Sequence, residues 1–196
     1  MNQPITLQDN IGLRAPLLFA IAILLLFGLL YSLLGASLGR VLFPAQAQGS
    51  LIERDGTVVG SALVAQPFAD PRYFQPRPSA ANYDPMAAAG SNLARSNPAL
   101  HERIAKTRLA IAERDGIATA QVPDDLVTQS GAGLDPHVSP MGARVQAARV
   151  ARARGLDQAV VERLVDQAIE PKQLGVLGQP RVNVLRLNLA LDAMAR

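Results

Sequence analysis

Three polar residues at alternate positions, Asp135, His137 and Ser139, have the residue types of a hydrolytic triad. A triad needs an acid, a base and a nucleophile that share one line of proton transfer. Along an extended loop, alternate side chains lie on one face without converging on such a line, and no Gly-x-Ser-x-Gly elbow is present. We therefore predict no catalytic site. A membrane-anchored hydrolase using Ser139, His137 and Asp135 is kept as the alternative interpretation.

The same stretch, from Val127 to Pro140, is the richest polar segment of the chain and contains Ser130, Gly131 and Gly133. The two glycines let the backbone turn and approach a ligand closely, and exposed amides in such a turn can hold a phosphate. The stretch is not a Walker loop, because no Gly-Lys-Ser or Gly-Lys-Thr follows. The pattern favours a structural turn over a nucleotide site, and both interpretations stay open.

A group of arginines without matching acids follows this stretch: Arg144, Arg149, Arg152 and Arg154. Guanidinium groups pair well with phosphates and carboxylates, so this face could meet a nucleotide, lipid head groups, an acidic partner or only solvent.

The chain has no cysteine, which excludes thiolate catalysis, disulfides and zinc-thiolate sites. Its two histidines, His101 and His137, are far apart in the sequence and make a poor zinc set, so no metal site is predicted.

The elements that position these residues begin with a membrane anchor. Residues 15–39 are uncharged, and 14 of these 25 are Leu, Ile or Phe. A helix of that length measures about 37 Å at about 1.5 Å per residue, enough to cross a hydrocarbon core of about 30 Å. We predict an N-terminal tail over residues 1–14 and one transmembrane helix over 15–39. A cleavable secretory signal ending at Ala45-Gln46-Ala47 is the alternative, although signal cores are shorter.

Small residues recur on one side of the predicted anchor. Gly28, Ser32 and Ala36 are spaced by four residues, and Gly35 and Gly39 repeat that spacing on an adjacent stripe. Small residues let another helix approach closely in lipid. We therefore predict that this face packs against a partner helix. Basic residues flank the span on both sides, so the positive-inside rule does not decide its orientation.

The remaining residues, 40–196, are expected to form one water-facing α+β domain. Beyond Arg40 the chain carries 17 basic and 15 acidic residues, a near balance that argues against a nucleic-acid surface. Asp55-Gly56, between apolar runs, predicts a tight type I′ hairpin over Leu51 to Val64. From Gln66 to Pro98, six prolines predict an extended or looped segment, and its aromatic residues indicate that it packs on the domain.

Capping signals then predict a series of helices. Asn97-Pro98 opens one that ends at Asp115-Gly116, Ser139-Pro140 opens another that ends at Gly155, and Asp157 caps a third that ends before Pro171. Val182 to Leu191 is ambiguous between strand and helix, and we favour a helix capped by Asn183. Helices and a hairpin without repeated βαβ units give the α+β class.

Taken together, these segments resemble the KdpC family, which belongs to the bacterial potassium-transporting P-type ATPases. The motifs that carry the resemblance cover nearly the whole chain and are Phe43-Pro44, Gln46 to Ile52, Gly60 to Leu63, Tyr73-Phe74, Arg77 to Ala80, Gly90 to Leu93, Ser96 to Pro98, Val127 to Pro140, Arg149 to Leu156, Gly178 to Asn183 and Leu187 to Asp192. The chain departs from the family pattern at Ala88-Ala89, where the family has Ser-Gly, and at Pro76, where it has Gly.

The resemblance implies an accessory, non-catalytic subunit of an ATP-driven potassium uptake complex in the cell inner membrane. Its partners would be a channel-like subunit that selects potassium and a P-type subunit that hydrolyses ATP. The C-terminal domain would lie on the periplasmic side, where it could guard the potassium entrance. The subunit could also raise the ATP affinity of the hydrolysing subunit. ATP would then be met through the complex, and any nucleotide contact would fall on Ser130, Gly131, Gly133 and Gln146. A free-standing ligand-binding domain is a further alternative.

Overall fold

One long helix dominates the first unit of the computed structural model, which describes residues 12–194. It consists of α1 (Arg14–Ile23), a π-helical segment (Leu24–Leu30) and α2 (Tyr31–Leu42), and it is followed by the short helix α3 (Pro44–Ala47). Among the described residues, this is the one helix long and apolar enough to cross a membrane. The predicted N-terminal apolar helix is confirmed, and the first compact unit ends at Gly49.

The predicted small-residue face is open in this helix. A methyl group added at Gly28, Gly35 or Gly39 would meet no atom within 4 Å. Gly28 lies in the π-helical segment, whose wider turn shifts it around the axis relative to Ser32 and Ala36. Ser32, Gly35, Ala36 and Gly39 lie in the regular helix α2. Packing of this face against a partner helix stays a prediction.

The second unit begins at Ser50, and its described residues, 50–194, form five helices and five short strands. Its elements are β1 (Leu51–Arg54), β2 (Thr57–Ser61), α4 (Pro98–Asp115), α5 (Asp124–Val127), β3 (His137–Val138), α6 (Pro140–Arg154), α7 (Gln158–Gln167), β4 (Ile169–Glu170), β5 (Arg181–Asn183) and α8 (Val184–Met194), with single 3₁₀ turns at Pro85–Ala87 and Thr119–Gln121. The α+β class is confirmed.

Strands β1 and β2 form the predicted antiparallel hairpin, with Leu51 opposite Ser61 and Arg54 opposite Thr57. The two residues between them, Asp55 and Gly56, both have positive φ angles, +53° and +75°. Positive φ at both central residues is what a type I′ turn requires. The Asp-Gly signal therefore predicted both the position and the turn type correctly.

A second sheet, in the order β3-β5-β4, was not predicted. Both pairings are antiparallel, and Val182 in the central strand lies opposite Val138 on one side and Ile169 on the other. Strands of two or three residues are too short to show a period-two pattern. For the same reason the preference for helix over Val182 to Leu191 was partly wrong. The first two residues belong to β5, and the helix begins at Val184.

The predicted helix caps are confirmed. Side chains of Asn97, Ser139 and Asp157 accept hydrogen bonds from the amides of Ala99, Gly142 and Ala159. Helices α4 and α6 end at Gly116 and Gly155, and both glycines adopt the left-handed conformation. Asn183 accepts from the amide of Arg186 at 3.1 Å and so caps α8, as the sequence predicted.

The segment from Gln66 to Pro98, called the proline-rich segment below, packs on the domain as expected. Apart from the single turn at Pro85–Ala87, its residues from Gln66 to Asn97 form no helix or strand. Phe74 is completely buried in the core formed by α4, α6, α7, α8 and the second sheet. The Phe68 and Tyr73 rings lie 5.5 Å apart, and the Arg154 guanidinium stacks over Tyr73. An extended chain is thus built into the core between helices.

Asn188 holds this buried backbone from helix α8. Its Oδ1 accepts the Phe74 amide at 2.8 Å, and its Nδ2 donates to the Phe74 carbonyl at 2.9 Å. Both groups of Phe74 are therefore paired by one carboxamide.

We expect the substitution Asn188→Ala to lower the free energy of unfolding of the water-facing domain by about 2–4 kcal/mol, because two buried backbone groups lose their partners. Urea titration of the full chain in detergent, followed by circular dichroism, measures this change. Gln158→Ala, at an exposed position of α7, is the matched control and should change stability by less than about 0.5 kcal/mol. Equal effects of the two substitutions would contradict this account.

Candidate functional site

The stretch from Val127 to Pro140 connects α5 to α6 and includes β3. It borders a cavity of about 510 Å³ whose lining includes Arg77, Asp125, Asp135, His137 and Ser139. The three triad-like residues thus do come close to one another. Their hydrogen bonds, described next, decide what they can do.

Asp135 and His137 form one contact. Asp135 Oδ1 accepts the His137 amide at 3.0 Å and lies 3.1 Å from His137 Nδ1, while Arg77 reaches Asp135 Oδ2 at 3.2 Å. Burial alone would raise the pKa of the Asp135 carboxyl, but the hydrogen bonds from His137 and the Arg77 charge together hold that pKa below its usual value. On the other side of the ring, His137 Nε2 lies 4.0 Å from Glu170.

Ser139 takes no part in that contact. Its hydroxyl donates to Asp125 Oδ1 at 3.0 Å and accepts the Gly142 amide at 2.9 Å. The Ser139 amide donates to Asp125 Oδ2 at 2.7 Å. Serine and histidine are therefore held by different carboxylates, and no Ser-His proton transfer line exists. That the chain has no catalytic site stays a prediction.

The loop that contains Ser130, Gly131 and Gly133 packs against the proline-rich segment. Ser130 is buried, and its hydroxyl accepts the Asp135 amide at 3.4 Å. Gly133 has a φ of +73°, and a methyl group there would come within 2.8 Å of Ala81. A methyl group at Gly90 would come within 2.6 Å of the Gly131 carbonyl oxygen. The glycines thus allow two chain segments to approach closely, and only Gly131 of the three candidate loop residues is exposed.

Gln146 lies in the core, where its carboxamide binds the backbone of Gln75. Its Oε1 accepts the Gln75 amide at 2.9 Å, and its Nε2 donates to the Gln75 carbonyl at 3.1 Å and to the Gly142 carbonyl at 3.0 Å. The side chain is completely buried. A ligand could use this carboxamide only if those hydrogen bonds broke. The nucleotide contact through Ser130, Gly131, Gly133 and Gln146 stays a prediction.

The arginines of α6 find acids elsewhere in the chain. Arg149 is buried and pairs with Asp115 at 2.6 Å, Arg154 pairs with Asp192 at 2.8 Å, and Arg144 pairs with Asp166 at 2.7 Å. The expectation that these arginines lack matching acids was therefore wrong for three of them. Their partners are distant in the sequence, so a local scan does not find them.

Arg149 also binds the backbone of the proline-rich segment. Its terminal nitrogens donate to the carbonyls of Pro71 and Tyr73 and, at 2.9 Å, to Gln146 Oε1. Burial lowers the pKa of the Arg149 guanidinium, the Asp115 carboxylate opposes that shift, and the nearby Arg114 charge adds to it. One sequence signal points to this network: Asp115 stands in the last turn of α4, where the helix dipole disfavours a carboxylate, so it needs a cationic partner.

Metal binding has no support in the part of the chain that the structure describes. Over residues 12–194, no three His, Cys, Asp or Glu side chains come together in a way that could hold a metal ion. The polar groups around Val127 to Pro140 are used instead in contacts between chain segments.

Comparison with known proteins shows that this chain matches one protein family. The model of the KdpC family, described as K+-transporting ATPase, c chain, matches residues 13–193. The Potassium-transporting ATPase KdpC subunit of Xanthomonas campestris pv. campestris (strain B100) is 59% identical over 192 residues, covering 98% of this chain and 92% of that protein. The protein of the same name from Shewanella putrefaciens is 55% identical over 185 residues, covering 94% and 91%. That from Methylococcus capsulatus is 54% identical, covering 92% and 97%.

The lowered pKa of Asp135 predicts an acid-dependent part of the stability. A carboxyl whose pKa is lower in the folded than in the unfolded state contributes stability above the unfolded value of about 3.9, and this contribution is lost as the pH falls through the folded value. We therefore expect Asp135→Asn to be less stable than the native chain at pH 6, with the difference shrinking towards pH 3. Urea titrations in detergent at both pH values measure it.

Glu113→Gln, at an exposed position of α4, is the control for removing a carboxylate. It should show no such pH-dependent difference. A stability gap for Asp135→Asn that stays constant between pH 6 and pH 3 would contradict the assigned role of the carboxylate.

Proposed function

The chain belongs to the KdpC family of potassium-transporting ATPases, and from this premise we propose that it is an accessory, non-catalytic subunit that stabilises a potassium uptake complex. The observation that carries the proposal is the family match, which extends over residues 13–193 and so includes both the apolar helix and the folded domain. The partners would be a channel-like subunit that selects potassium and a P-type subunit that hydrolyses ATP.

The arrangement of polar residues supports a binding role over catalysis. Ser139 is engaged by Asp125 and the Gly142 amide, and His137 is engaged by Asp135. These contacts fix the connection between α5, β3 and α6 without presenting a nucleophile to a base. A domain whose polar groups maintain its own shape is suited to docking on a neighbouring protein, because little conformational freedom is lost on binding.

We further propose that the domain lies on the periplasmic side of the cell inner membrane, near the potassium entrance. The family resemblance supports this placement, because it implies a domain on the outer face of the membrane. A periplasmic domain would not meet free cytoplasmic ATP. We therefore rank assembly above a direct effect on ATP affinity, and any contact with ATP would arise through the complex.

The anchor helix supplies the proposed contact with the partner subunits. We expect Ser32→Leu to reduce co-purification of the other pump subunits by about tenfold, because a bulky side chain on the small-residue face prevents close helix approach. Ser37→Leu is a matched control in the same regular helix, since five residues turn the helix by about 140°. The measurement is the ratio of subunits recovered from detergent through an affinity tag on this chain.

Ser37→Leu should leave the ratio of recovered subunits near that of the native chain. Full recovery of the partner subunits with Ser32→Leu would remove the proposed packing face. A chain that elutes alone while the other subunits assemble and transport potassium normally would overturn the accessory role itself.

The proposed orientation is tested with a single introduced cysteine, since the native chain has none. Ser96 is exposed in the loop before α4, so a Ser96→Cys chain should react on intact cells with a membrane-impermeant maleimide. Gln8→Cys in the N-terminal tail should react only after the cells are broken. The reverse pattern would place the domain in the cytoplasm and would make direct ATP binding by the domain the stronger interpretation.

A further inference from the structure

A groove separates helix α4 from the proline-rich segment. Its volume is about 410 Å³, and α4 provides one wall with Lys106, Thr107 and Arg114. The opposite wall contains the ring of Tyr83, and the remaining lining residues are Gln75, Pro76, Pro78, Ala110, Ile111 and Leu126. This groove therefore combines two cations with apolar and aromatic surface, and no acidic side chain of the described chain lines it.

The charge at one end of the groove is not balanced. Asp115 is fully buried and is the carboxylate partner of two guanidinium groups, Arg114 at 2.6 Å and Arg149 at 2.6 Å. The other partners of both arginines are neutral: Gln75 for Arg114, and two backbone carbonyls and Gln146 for Arg149. The single negative charge of Asp115 thus balances only one of the two guanidinium charges. The surplus lies next to the groove through Arg114, whose side chain is 28% exposed.

Arg114 has N–H donors that no acceptor of the described chain uses. A guanidinium carries five N–H donors. Three of them are used, by Asp115 Oδ1, Asp115 Oδ2 and the Gln75 side chain. One N–H on each terminal nitrogen is left. Charged donors of this kind make strong hydrogen bonds to phosphate oxygens.

Two further cations of this helix face, Lys106 and Arg103, have no carboxylate partner in the described part of the chain. Lys106 has no carboxylate within 4.0 Å, although Glu102 and Glu113 lie on the same helix. Arg103 lies one turn before Lys106 and Thr107, and its Nε is buried without a hydrogen-bond partner. Three cations along one side of α4 therefore add to the positive field of the groove.

We propose that this groove is a binding site for a phosphate-bearing anion. Arg114 and Lys106 bind the phosphate oxygens, and the Tyr83 ring with Ile111 and Leu126 accommodates the organic part of the ligand. Lys106 and Arg114 are eight residues, or about 12 Å, apart along the helix axis. Both line the same groove, and their long side chains can turn towards one phosphate between them. The phosphate could belong to a soluble phosphomonoester or to an anionic phospholipid head group.

The two lysines of the chain, Lys106 and Lys172, provide the test. The full chain is reconstituted in nanodiscs and its lysines are acylated with an amine-reactive reagent, and the rate at each lysine is read by mass spectrometry. One arm adds phenyl phosphate to nanodiscs of neutral phosphatidylcholine. The other arm uses nanodiscs that contain phosphatidylglycerol, without added phosphate. Lys172 is the internal control, because it lies in the turn between β4 and β5, outside the groove.

We expect acylation of Lys106 to slow by about threefold or more in at least one arm while Lys172 changes little, since a bound phosphate accepts hydrogen bonds from the ammonium group. The arm that shows protection identifies the source of the phosphate. Arg114→Gln should abolish the selective protection, whereas Arg163→Gln, at an exposed arginine of α7, should retain it. Equal slowing of both lysines, or none in either arm, would overturn the proposal without any dependence on how the variants fold.

Discussion

A buried extended backbone needs hydrogen-bond partners, and this constraint governs the structure of the domain. In the segment from Tyr73 to Gln75, Phe74 is fully buried in the core and its two neighbours are half-buried. No neighbouring strand of the described chain pairs with this segment. Asn188 from α8 pairs both backbone groups of Phe74, and Gln146 from α6 pairs both backbone groups of Gln75. Two side-chain carboxamides thus replace the ladder that a strand would provide.

Arg149 extends the same principle and explains where the polar motifs of the chain are used. It binds the carbonyls of Pro71 and Tyr73, supports Gln146, and draws Asp115 into the core as its counter-ion. The Ser139 hydroxyl is likewise used within the domain, in hydrogen bonds with Asp125 and Gly142. A domain built this way offers a fixed outer surface instead of a reactive site, which is the property that an accessory member of a complex requires.

Local signals predicted much of this fold, and contacts over long sequence distances were missed. The Asp55-Gly56 turn, the caps at Asn97, Ser139 and Asp157 and the apolar helix depend on neighbouring residues, so the sequence shows them directly. The β3-β5-β4 sheet depends on pairing short strands that are far apart in the chain, and its strands are too short to carry a pattern. The acids that pair with the arginines of α6 lie 22 to 38 residues away. Family resemblance indicated Gln146 as a nucleotide contact, and no pattern in the sequence indicates that its carboxamide lies in the core.

The most direct test of this account is amide hydrogen exchange in the Gln146→Leu chain, measured in detergent by mass spectrometry without nucleotide. We expect exchange in the peptide containing Tyr73 to Gln75 to accelerate by about tenfold or more, because the backbone groups of the half-buried Gln75 lose their partners, a cost of about 1–3 kcal/mol. Gln167→Leu, at an exposed position of α7, should leave that peptide unchanged. Native exchange in the Gln146→Leu chain would contradict the central claim that this side chain holds the proline-rich segment.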